Sequence, residues 1–115
     1  MQSSSYKVTG PSAGQLSDSL ADALGVTALV KHGAVTVLCH EKYYLRIDSN
    51  LMSTIVLSLT EEGVCFVDIV TGGGKTGLFG ISFGAEKRNT DVVSDVLTSV
   101  CSRMDLRISP LEKEQ

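Results

Sequence analysis

Apolar residues recur along this chain with two different periods. Leu16, Leu20, Ala23 and Leu24 fall at i, i+4, i+7 and i+8, one face of a helix, while Asp18 and Asp22 point elsewhere. Ser12 and Gln15 stand at the spacing of a capping box, and Gly25 sits where a left-handed C-cap is expected. A second helical stripe, Val93, Val96, Leu97, Val100 and Met104, is expected to start near Asn89-Thr90. That start puts Asp91 in the first turn and Arg103 near the last, both favourable to the helix dipole. Elsewhere the period is two. Tyr6 to Thr9 reads as a short strand stopped by Gly10-Pro11. Val35, Val37 and Cys39 alternate with Thr36 and Leu38, and Tyr43, Leu45 and Ile47 with Tyr44 and Arg46. Leu51, Ile55, Leu57 and Leu59 share a side, and Cys65, Val67 and Ile69 alternate with Phe66 and Asp68. Thr60-Glu61-Glu62-Gly63 reads as a hairpin turn, with further turns at His32-Gly33 and His40-Glu41-Lys42. Thr76 to Phe83 reads as a last strand after Gly72-Gly73-Gly74.

The expected fold is therefore α+β: a mostly antiparallel sheet of about six to seven strands packed with two amphipathic helices, in the order strand, helix, meander, helix. The 115 residues suit one such domain over 1–115, with residues 1–4 and 110–115 as flexible tails.

Composition narrows the functional classes. Hydrophobic residues are 43% and charged residues 20%, a globular balance, and ten basic against thirteen acidic residues give a net charge of -3. The cations are scattered, whereas nucleic-acid binding needs them clustered. Cys39, Cys65 and Cys101 are odd in number, widely spaced and set in apolar surroundings, so they read as reduced thiols. The first residues lack a basic and an apolar region, and no apolar run reaches membrane-spanning length, which points to a cytoplasmic protein.

Candidate chemistry centres on Thr71-Gly72-Gly73-Gly74-Lys75-Thr76-Gly77. Gly74-Lys75-Thr76 matches the end of a phosphate-binding P-loop, but Ile69 stands where its first glycine belongs, and a strand is expected to follow instead of a helix. A weaker anion-accepting loop would use the N–H groups of Thr71, Gly72, Gly73, Gly74 and Thr76 with the charge of Lys75. The plainer reading is a hairpin connection. Metal ligation has no paired spacing: Cys39 and His40 are adjacent, so on a strand they face opposite ways. Cys39 or Ser82, His32 or His40, and Asp68 are the residue types of a nucleophile, a base and an orienting acid, without a local signature joining them. Asp68 interrupts an apolar strand and is expected to face water; a covered Asp68 would need a partner such as Arg46 or Lys75. Tyr43 and Tyr44 put one ring on each side of their strand. No catalytic residue, cofactor or metal is assigned.

A strand from Met52 to Thr60, then Ile69-Val70-Thr71-Gly72-Gly73-Gly74, then Leu78-Phe79-Gly80-Ile81-Ser82-Phe83-Gly84-Ala85-Glu86 leading into the final helix resembles a family of short uncharacterised bacterial proteins, the domain of unknown function 6054. The resemblance lies mainly over residues 51–100. It implies a compact α+β domain of bacterial origin and brings no catalytic residues.

With no catalytic constellation and a large sheet, the sequence favours a small non-enzymatic binding or interaction module, possible as a homo-oligomer through a sheet edge or face. The alternative is a small-ligand carrier or enzyme with an anion-accepting pocket near residues 71–77.

Overall fold

A computed structural model describes the backbone of residues 2–44, 49–73 and 81–111, and their side chains except at 43, 44, 49, 50, 73 and 81–86. Six strands form one antiparallel sheet: β1 (Gln2–Thr9), β2 (Ala28–His32), β3 (Val35–Tyr44), β4 (Ser49–Glu61), β5 (Val64–Gly73) and β6 (Arg107–Pro110). Their order across the sheet is β2-β3-β4-β5-β1-β6. Two helices, α1 (Leu16–Leu24) and α2 (Ile81–Arg103), pack against one face. The α+β class, the antiparallel sheet and the two helices agree with the sequence reading.

The core lies between that face and the helices. Leu38 of β3, Ile55 and Leu57 of β4, Cys65, Val67 and Ile69 of β5, and Val8 of β1 point inward. They meet Leu16 and Leu20 of α1 and Val93, Leu97, Val100 and Cys101 of α2. In α1, Leu16 and Leu20 are buried and Leu24 is half-buried, but Ala23 is exposed; Ala21 packs on the core instead. Gly25 closes α1 in the left-handed conformation, φ 68°, as its position predicts. Gly63 takes a φ of 78° in the β4–β5 hairpin.

Four expectations need correction. Ser12 makes no capping box, because its hydroxyl donates to the Met104 carbonyl at 3.0 Å, satisfying a group at the end of α2; a 3-10 turn over Ala13–Gln15 leads into α1. His40-Glu41-Lys42 is not a turn: β3 runs straight through, pairing Glu41 with Met52 and Lys42 with Leu51. The polarity of Glu41 and Lys42 reflects exposure, not reversal. Ile81–Phe83 are helical, so the expected strand over 76–83 fails there, while 74–80 lie outside the described residues. Thus α2 begins eight residues before Asn89, and Asp91 sits well inside it, bonded to Lys87 at 2.9 Å. Asn89 and Thr90 look like a cap because short polar side chains compete for nearby backbone groups; here they reach across to the sheet instead.

Two elements have no counterpart in the sequence reading. β2 is an exposed edge strand, and β6 returns after α2 to pair with β1 (Val8 with Ile108, Tyr6 with Pro110). Gln2–Ser4 pair with Ile69–Thr71, and the Leu111 N–H donates to the Ser5 carbonyl at 2.8 Å. Both stretches include residues expected as tails.

Candidate functional site: a buried polar cluster and an uncovered sheet face

Where α2 crosses the ends of β4 and β5, the apolar core gives way to polar side chains. Ser53, on β4, and Thr71, on β5, are cross-strand partners whose hydroxyls lie 2.7 Å apart. Asn89 Nδ2 donates to Ser53 Oγ at 2.7 Å and Thr90 Oγ1 to Thr71 Oγ1 at 2.7 Å, and all four residues are buried. His40, on β3, pairs across the strand with Ser53 and shares its face. The His40 Nδ1 is buried and has no hydrogen-bond partner among the described residues.

Hydroxyl hydrogens outnumber the hydroxyl–hydroxyl bonds among the described residues of this cluster. Thr90 donates to Thr71, and one further bond joins Thr71 and Ser53, which have two hydroxyl hydrogens between them. One is left over. When Thr71 is the donor, the spare hydrogen is on Ser53, across the strand from an imidazole nitrogen that lacks a partner. Burial, reinforced by the charge of Lys42, lowers the His40 pKa and favours the neutral ring.

The anion-loop candidates divide. Thr71, Gly72 and Gly73 belong to β5 and pair with Ser53, Met52 and Leu51, and the Thr71 hydroxyl is committed inward. Gly74, Lys75 and Thr76 lie outside the described residues, as do Arg46 and the side chain of Ser82. Ile69, in the first-glycine position of a P-loop, is a fully buried strand residue. The helix at Ile81 removes one objection to such a loop and leaves that stronger one in place. Cys39 and His40 face opposite sides of the sheet, His32 is exposed on β2, and Asp68 is exposed on β5, accepting a 2.6 Å hydrogen bond from Ser5. No nucleophile, base and acid meet among the described residues. Nor do three His, Cys, Asp or Glu side chains there come together to hold a metal, and no described helix is long and apolar enough to cross a membrane. A cleft of about 420 Å³ opens between α1 and α2, lined by Ser19, Asp22, Ala23, Val100, Arg103 and Met104, none of which is a candidate for chemistry by sequence.

The second surface is the sheet face that the helices leave bare. Inward and outward residues alternate strictly, so β3 buries Thr36 and Leu38 and turns Val35 and Val37 outward. Val35 is 39% exposed, Val30 on β2 50% and Met52 on β4 43%. Val30 pairs with Val37, and Val37 with Val56, making an apolar row across three strands. The other half of the face is polar: Ser5 bonds Asp68, and the Lys7 ammonium lies 6.0 Å from the Phe66 ring centre. Periodicity could have found the row, but not which face the helices would choose.

The sequence profile of a family of unknown function (DUF6054) matches residues 12–101, from the turn before α1 almost to the end of α2, leaving β1 and β6 outside. This reaches further than the resemblance over 51–100. No curated protein and no solved structure matches the chain. A profile spanning both helices and the four strands β2 to β5 places the chain in a family: it belongs to DUF6054.

Proposed function

We propose that this protein is a small non-enzymatic interaction module that self-associates through the uncovered part of its sheet. The observation that carries this reading is the orientation of β2 to β4. Val30, Val35 and Met52 are exposed on the face away from the helices and Val37 is half-buried there, whereas polar Thr36 and Ser53 face the helices. An exposed apolar row next to an unprotected strand edge is the surface a partner needs. No assembled catalytic group among the described residues competes with it. A second copy supplies a matching surface without any further component.

Sedimentation velocity on the purified chain tests this, from micromolar to millimolar concentration. A reversible monomer–dimer equilibrium is the expected result. A single monomeric species throughout that range overturns the reading.

A further inference from the structure

Resting on that reading, we propose that β2 pairs with β2 of a second copy, antiparallel, about a two-fold axis at Val30, so that two six-stranded sheets become one.

Backbone direction selects the site. The Leu59 N–H donates to the Ala34 carbonyl at 2.8 Å, so Ala34, Thr36 and Leu38 address β4. The alternate residues Val35, Val37 and Cys39 address β2, where they pair with His32, Val30 and Ala28. It follows that the N–H and C=O groups of Leu29 and Lys31 point away from the sheet, where no further strand lies among the described residues. At the opposite edge, β6 is four residues long, starts with Arg107 and ends with Pro110, the features that blunt an edge. β2 has no proline, and Ala28, Leu29 and Val30 are all exposed.

The register is equally constrained. With the axis at Val30, Leu29 of each copy exchanges two backbone hydrogen bonds with Lys31 of the other, four in all. Val30 then meets its own copy as a close, non-hydrogen-bonded pair. The row Val56, Val37, Val30 continues without a break into its mirror sequence on the second copy. On the helix side Leu29 lies against the aliphatic stem of the other copy's Lys31, a residue whose ammonium is already held by Asp18 at 2.7 Å. An axis at Lys31 instead sets two lysines face to face, which is repulsive. An axis at Leu29 would call on Thr27 for its flanking bonds, but the Thr27 N–H is committed inward to the Cys39 carbonyl at 2.8 Å. Two five-residue strands bury less than a standard interface of roughly 1,600 Å². The expected association is accordingly weak, with a Kd on the order of micromolar.

A cysteine scan tests the axis. In a Cys39→Ser background, each residue from Ala28 to His32 is replaced singly by cysteine, oxidised gently and resolved by non-reducing electrophoresis. Only a residue on the axis meets itself at disulfide distance, so Val30→Cys is expected to give the dominant covalent dimer. A maximum at any other position, equal yields along the strand, or no dimer at position 30 overturns the register. Val30→Lys, at a half-exposed site where the monomer tolerates it, is expected to weaken sedimentation dimers about tenfold or more by placing like charges opposite one another. Dimers that persist unchanged in Val30→Lys leave self-association standing and remove β2 as its site. A wild-type chain that stays monomeric removes both.

Discussion

His40 holds a neutral imidazole between an exposed strand end and a fully buried hydroxyl cluster. Burial, and secondarily Lys42, sets its folded pKa below the ordinary histidine value. The unfolded chain therefore binds the proton first as pH falls. Stability is fully present above the ordinary range near 6.5 and is lost as pH drops from there through the lower folded value. Urea titrations at steps between about pH 5 and pH 7.5 should show this decline in the wild type and a flatter profile in His40→Leu. Equal slopes in the two proteins would mean that His40 is not the group being titrated. In the sequence His40 stood out as a turn residue and as a base or a ligand beside Cys39; its pairing with Ser53 depends on strand register, which no local spacing reveals.

At the scale of elements, α2 shows how a tertiary contact overrides a local preference. Asn89-Thr90 has the composition of a helix start, and glycines 80 and 84 with Ile81 and Phe83 weaken the case for helix upstream. In the fold the amide and hydroxyl are occupied by Ser53 and Thr71, leaving the backbone free to continue as helix in both directions. Asn89→Ala strips the Ser53 hydroxyl of a donor inside the core. A loss of about 1–3 kcal/mol in unfolding free energy is expected, read from the shift of the denaturation midpoint at constant slope. A change within a few tenths of a kcal/mol would show that the cluster contributes little to docking α2. The first helix was more legible: Leu16, Leu20 and Gly25 behave as their spacing indicates, since they answer to helix geometry and not to a distant partner. Ser12 failed as a cap for the same reason Asn89 did, its hydroxyl being claimed by a residue remote in sequence.

For the molecule as a whole, the three thiols report on the boundary between core and surface. Burial, then the neighbouring Cys101, pushes Cys65 up to about 11, and burial raises Cys101 as well. Cys39 is half-exposed on the uncovered face. Iodoacetamide near neutral pH should modify Cys39 alone in the native protein and all three cysteines after denaturation, counted by intact mass. Labelling of Cys65 or Cys101 as quickly as Cys39 under native conditions would contradict a sealed layer between sheet and helices. The sequence disclosed that a sheet with one buried side exists, because alternation is a local property. It did not disclose the strand order, because β1 finds its neighbours β5 and β6 only after the intervening chain has folded back. That placement governs how the molecule comes into being. The first strand occupies a slot whose walls lie far along the chain, as Val8 must meet both Cys65 and Ile108. Residues 2–9 have no bed to lie in until both partner strands have been gathered from far along the chain, so closing the sheet proceeds at the unhurried pace of long-range topologies.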